Sequence, residues 1–173
     1  MEFLCLDLIN SRWYATHKPG RDGLADAGWL EQFWQKWKLG AAPGAEAVPQ
    51  LVQVRALLEA LLERPGDCQD AVARLNQFLK RYPYTYALEA ADRHYRLAVH
   101  GAADEFGRIL AAELVAFLEL WTSDEVGRIK RCQNPECGWA FYDESKNNTR
   151  RWCGGTCASL IKVRRFRSRQ KDG

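Results

Sequence analysis

Apolar residues recur at helical spacing through most of the first 126 positions. Between Ala27 and Lys38, Leu30, Phe33, Trp34 and Trp37 fall on one side of a helix, and the run Leu39-Gly40-Ala41-Ala42-Pro43-Gly44 breaks it. From Pro49 to Glu63 the stripe is Leu51, Val54, Leu58, Leu61 and Leu62, with Arg55, Glu59 and Glu63 on the polar side and Pro65-Gly66 as the stop. A third helix is expected with Asp70 as its cap and Ala71, Leu75, Phe78 and Leu79 on its buried face, halted by Tyr82-Pro83. The period then changes from 3.6 to 2. Tyr84, Tyr86 and Leu88 alternate, as do Tyr95, Leu97 and Val99, around Ala91-Asp92-Arg93, which predicts a β-hairpin. From Asp104 the helical pattern returns through Phe106, Leu110, Leu114, Phe117, Leu118 and Trp121, ending near Thr122-Ser123-Asp124. The expected fold is mainly α with a small β-hairpin: a helical N-terminal domain over residues 1–126, then a distinct segment over 127–173.

Neither an internal repeat nor a low-complexity linker separates the two parts, so they are expected to pack together. Charge separates them instead. The chain has 173 residues and a net charge of +3. Residues 1–126 hold thirteen Lys and Arg against eighteen Asp and Glu, whereas residues 127–173 hold twelve against four. A neutral-to-acidic body carrying a basic arm suits a polyanionic partner. The length excludes a large multidomain enzyme, and no apolar run reaches the eighteen or so residues needed to cross a bilayer. Acids stand in Met1-Glu2-Phe3-Leu4-Cys5-Leu6-Asp7 where a signal peptide needs a basic flank, which points to the cytoplasm and reduced cysteines.

Four of the six cysteines lie in the basic segment, as Cys132-x4-Cys137-x15-Cys153-x3-Cys157. Two close pairs separated by a loop match one tetrahedral zinc ion, because each short loop folds two sulfurs onto one side of the metal. Asn134-Pro135 supplies a turn in the first loop, and Gly154-Gly155 lets backbone amides approach sulfur in the second. Two disulfides or four ordinary core cysteines are the alternatives, and the reducing compartment and polar setting speak against both. Four sulfurs leave no position for water, so the zinc is expected to be structural. Trp139, Phe141 and Trp152 flank the polar turn Asp143–Asn148, and a hairpin between the two runs is expected there. Cys5, among Phe3, Leu4, Leu6 and Leu8, reads as a small buried hydrophobe. His17, His94 and His100 form no ligand pair, and no acid, base and nucleophile set converges, so no catalysis is expected.

After the last cysteine the chain reads Ala158-Ser159-Leu160-Ile161-Lys162-Val163-Arg164-Arg165-Phe166-Arg167-Ser168-Arg169-Gln170-Lys171. Leu160, Ile161, Val163 and Phe166 are spaced to lay one face of a helix on the zinc module, with Lys162, Arg165 and Arg169 outward and Arg164, Arg167 and Lys171 in a neighbouring row. Such a helix suits the phosphates of duplex DNA, and arginine also suits guanine edges. Arg150 and Arg151 extend the patch. Stacking of RNA bases on Trp139, Phe141, Tyr142 and Trp152 is an alternative use, although packing around the metal is the simpler one.

The run from Arg131 to Asp143, RCQNPECGWAFYD, and then SKNNTRRWC from Ser145 to Cys153, resembles the CGNR-type zinc finger proteins. The opening Leu4-Cys5-Leu6-Asp7-Leu8-Ile9-Asn10-Ser11 resembles the start of the ABATE domain that precedes this finger in those bacterial proteins. The resemblance implies a mainly helical N-terminal domain, Cys132, Cys137, Cys153 and Cys157 as zinc ligands, and DNA binding in stress-induced or antibiotic-associated transcriptional regulators. The family's Cys-Gly-Asn-Arg stands here as Cys157-Ala158-Ser159-Leu160, and the last cysteine pair is one residue closer. Roles of the family's Asn and Arg therefore do not transfer to Ser159 and Leu160. Phosphate contacts from Lys162, Arg164, Arg165, Arg167 and Arg169 do not depend on that tetrapeptide.

The leading expectation is a zinc-dependent, nucleoid-associated transcriptional regulator, with homodimerisation or sensing of a small-molecule effector left to the body. Trp13, Tyr14, Trp29, Trp34 and Trp37 could line an effector pocket, but an aromatic core is the plainer reading. A protein-interaction adaptor that uses the same finger is the competing function.

Overall fold

In the computed structural model, which describes residues 3–13, 22–40, 47–63, 68–92, 94–101 and 105–171, the helical stripes close around a short N-terminal helix. That helix, α1 (Leu4–Asn10), is buried on nearly every side: Leu4, Cys5, Leu8 and Ile9 are all but inaccessible. A helix apolar all round belongs in a core, not on a surface. Around it lie α2 (Ala27–Trp37), α3 (Ala47–Glu63), α4 (Gln69–Arg81) and α5 (Glu105–Thr122). They contribute Phe33 and Trp34, Leu51, Val54 and Leu58, Leu75 and Phe78, and Leu110, Leu114 and Phe117 to one continuous core.

The ends of these helices have local causes. Asp26 caps α2 by accepting from Trp29 N at 3.0 Å, and Lys38 ends it in the left-handed region at φ 50°. Asp70 does not cap α4 as expected: Cys68 occupies that position without a side-chain cap, and Asp70 sits in the first turn, where its charge favours the helix dipole. The breakers 41–44 and 65–66, Tyr14, His17, Arg93 and Asp104 lie outside the described residues.

The polar side of α3 is covered by other parts of the chain: Arg55 and Glu59 are 2% and 9% exposed. Arg55 grips Asp22 with two 2.6 Å bonds and reaches Ser11 Oγ at 2.7 Å, while Glu59 pairs with Arg12 at 3.1 Å. The segments around Ser11 and Asp22 cover that side of α3, and Arg55 satisfies their polar atoms. Its hydrogen bonds hold the Asp22 carboxyl below its ordinary pKa despite partial burial.

The expected hairpin forms from β1 (Tyr84–Ala91) and β2 (His94–Gly101), antiparallel in register Leu88↔Leu97. A second, smaller hairpin pairs β3 (Ile129–Arg131) with β4 (Ala140–Tyr142), Lys130 opposite Phe141. The chain ends in α6 (Gly155–Lys171). The predicted finger hairpin thus exists with a different partner. The run after Asp143–Asn148 forms no strand among the described residues, and β4 pairs backward across the first cysteine loop. Gln133 N to Arg151 O at 2.9 Å is the bond that ties the return segment in.

The terminal segment is packed on the helical body. Ile129 and Ala140 are buried members of the main core, and Tyr142 and Phe3 meet edge to face at 5.6 Å. Asn10, at the end of α1, donates to Ala140 O at 2.8 Å and accepts from Ala140 N at 2.7 Å. A buried amide thereby continues the edge of β4 and satisfies both backbone groups. No described helix is long and apolar enough to cross a membrane.

Candidate metal centre and nucleic-acid interface

Cys132 follows β3 directly, Cys137 closes a tight turn in which its N–H donates to Asn134 O at 2.9 Å, Cys153 precedes α6, and Cys157 lies in the first turn of that helix. The four sulfurs lie within 4.8 Å of one another, with Cys137 to Cys153 at 3.6 Å and Cys153 to Cys157 at 3.7 Å. Zinc–sulfur bonds of about 2.3 Å in a tetrahedron place sulfurs roughly 3.8 Å apart, so the set fits one zinc ion. All four cysteines are free in the structure, and the sulfur separations of 3.6 and 3.7 Å match shared metal ligation and not a disulfide bond of about 2.05 Å. Once bound, zinc supplies cross-linking and no open coordination position.

The surroundings support thiolate unevenly. Burial works against the Cys157 anion, but the Asn134 amide at 3.4 Å and its neighbours hold its pKa below the ordinary value. Burial pushes Cys137 up to about 11, and burial together with neighbouring thiols pushes Cys153 up further. A divalent cation reverses that balance by binding thiolate, so metal uptake releases protons. Cys153 N approaches Cys132 Sγ at 3.5 Å. A backbone amide thus approaches sulfur at the second cysteine loop, next to Gly154-Gly155. Cys132, Cys137, Phe141 and Cys157 form a small buried cluster against which Trp139 and Trp152 pack. These aromatics wrap the metal site, and Tyr142 packs on the body, which leaves little of the stacking platform an RNA reader needs.

Sequence reasoning missed Asp143. It is fully buried and accepts from Lys130 Nζ at 2.7 Å, Ser145 N at 2.9 Å and Arg150 N at 2.8 Å. Burial opposes its charge, yet these donors hold its carboxyl far below the usual range. Lys130 also donates to Asn148 O at 2.7 Å, so one ion pair fixes the turn that leads back to the second cysteine pair. The available signal was an acid inside an apolar strand end, followed by a turn-forming serine.

The expected nucleic-acid residues divide into two groups. Arg150 lies over the Phe141 ring at 5.0 Å and donates to Trp152 O and Cys153 O, bracing the second cysteine loop. Arg164 pairs with Glu136 and reaches Asn134, which seats α6 on the first cysteine loop. Arg151, Lys162, Arg165, Arg167 and Arg169 are exposed. The apolar face expected to lie on the zinc module does not do so. Ile161 is half-buried beside Arg164, but Leu160, Val163 and Phe166 are exposed, Phe166 by 61%. The physical reason is that the metal module is too small to cover more than the first two turns of α6, so the rest projects into solvent.

A cavity of about 190 Å³ opens where body and finger meet, lined by Asp7, Asn10, Trp29, Phe33, Lys36 and Trp139. Trp34 instead stacks on Phe106 at 4.9 Å and fills the core, as the plainer reading of the aromatic residues required. The side chain of Trp13 lies outside the described residues.

Two family models match the chain. The family model for the ABATE domain, described as "Putative stress-induced transcription regulator", matches residues 2–124, and that for the CGNR zinc finger matches residues 128–170. No curated protein matches the chain.

Proposed function

The chain belongs to the ABATE family and carries a CGNR zinc finger, and from that premise we propose that it is a zinc-dependent DNA-binding transcription regulator that presents α6 to duplex DNA. The observation that carries the reading is the posture of α6. It starts inside the cysteine cluster, is held at Arg164, and projects for the rest of its 17 residues with Arg and Lys around an exposed Val163 and Phe166. Lys162, Phe166 and Arg169 share the face opposite Arg164 at helical spacing, with Val163 to one side of it. Exposed cations there serve phosphates, and apolar side chains between them suit thymine methyl groups in the major groove. Arg151, Lys162, Arg165, Arg167 and Arg169 are assigned to DNA, and Arg150 and Arg164 to holding the finger's shape. The closed four-sulfur site assigns no catalysis. An effector, if the body senses one, has its natural place in the Trp29–Trp139 cavity, from which it touches body and finger together.

The exposed Leu160, Val163 and Phe166 also favour a second reading, in which α6 docks on an acidic partner protein. Selection from a random duplex pool with the zinc-loaded chain separates the two. Enriched sequences bound by the native chain and lost in Cys132→Ser support the regulator. Absence of DNA binding near physiological salt overturns it in favour of the adaptor.

A further inference from the structure

Among the described residues, one face of the β1–β2 hairpin is largely exposed to solvent. By register this face consists of Tyr86, Leu88 and Ala90 on β1 and Tyr95 and Leu97 on β2, with no charged position among them. Tyr86 is 51% exposed, Leu88 69%, Tyr95 72% and Leu97 64%. The opposite face is polar and internally neutralised: Glu89 pairs with Arg96 at 2.5 Å and with His100 at 3.0 Å. None of the hairpin's described side chains belongs to the buried core. A two-stranded ribbon is marginal in water without a packed face, and a contiguous apolar patch of this kind marks an interaction surface.

We propose that this face is the dimer interface of the protein, formed by two copies of the hairpin stacked apolar face to apolar face. Three observations select a second copy. The face is self-complementary, since Leu88 and Leu97 stand directly opposite each other and a two-fold axis near them sets like against like. It offers no charge that would call for an oppositely charged partner, and its polar groups lie on the reverse side. Its four large side chains expose on the order of 500 Å² per copy, so stacking two copies removes at most about 1,000 Å², the lower bound of a specific interface.

The test is sedimentation of the zinc-loaded full chain, without DNA, over a concentration series. The native chain is expected to shift from monomer to dimer, and Leu88→Lys to hold it as a monomer at concentrations where the native chain is dimeric. Thr85→Lys, on the polar face, is expected to dimerise like the native chain. Circular dichroism and zinc content of each variant report its fold. A photo-crosslinking residue at Tyr95 is expected to give a covalent dimer. A native chain that stays monomeric throughout, whether the face takes another protein or a membrane surface, overturns the proposal. So does a Leu88→Lys variant that is folded and still dimeric. Either result leaves the DNA-binding reading untouched, because no DNA is present.

Discussion

Asp143 shows how much of the finger rests on one side chain. Its charge is held by three donors in a fully buried setting, so its folded pKa lies below the unfolded value of about 3.9. A carboxyl with a depressed folded pKa stabilises the fold above its unfolded pKa, and that contribution fades as the pH drops through it. Asp143→Asn is therefore expected to lower the melting temperature of the zinc-loaded chain at pH 7, where the thiolates still hold the metal. Equal melting temperatures for the two zinc-loaded proteins at that pH contradict the role given to the carboxylate. The position was not legible as more than a turn residue, because its partner Lys130 lies thirteen residues earlier in a three-residue strand. The burial of Arg55 and Glu59 was not legible for a related reason. Helical periodicity locates a polar side, but only the segments packed against it decide whether that side meets water.

At the scale of elements, the helices that pack by an apolar stripe were legible, since their periodicity is the same quantity that burial selects. The β1–β2 hairpin was legible from its alternation. The pairing of the finger's strands was not, because runs of three residues carry no period and the local turn at 143–148 suggested the wrong partner. The seating of α6 was half legible: its start at the metal followed from Cys157, but the uncovered Leu160, Val163 and Phe166 were assigned inward. Two substitutions on this helix should separate seating from contact. Arg164→Ala removes the tie to Glu136 and Asn134, and is expected to lower thermal stability modestly, by about 1 kcal/mol for a half-exposed pair. Arg165→Ala, with no partner in the finger given to it, is expected to leave zinc content and melting unchanged. Equal melting temperatures for the two variants would remove the distinction.

On the whole-molecule scale, zinc and the body are coupled through β4. Ile129 and Ala140 sit in the main core, and Asn10 pairs with both backbone groups of Ala140. Structural zinc contributes about 10 kcal/mol or more of apparent folding free energy to such a finger. Chelation is therefore expected to unfold the finger and lower the melting temperature of the helices that remain, measured by circular dichroism at the helical band. Asn10→Ala leaves two buried backbone groups without a partner and is expected to cost about 2–4 kcal/mol even with zinc bound. Melting of the body that ignores both chelation and Asn10→Ala would mean that the two parts are merely tethered.

In the proposed function the exposed cations of α6 hold the phosphate backbone of duplex DNA while zinc holds α6. Equilibrium binding of the zinc-loaded chain to a labelled duplex, titrated against salt, tests it most directly when the native chain is compared with Arg165→Ala/Arg167→Ala/Arg169→Ala. The expected result is a steep fall in affinity with salt for the native chain and a log–log slope shallower by about three for the variant, which still binds zinc. Equal slopes for the two proteins, or no binding by the native chain at low salt, would contradict the account.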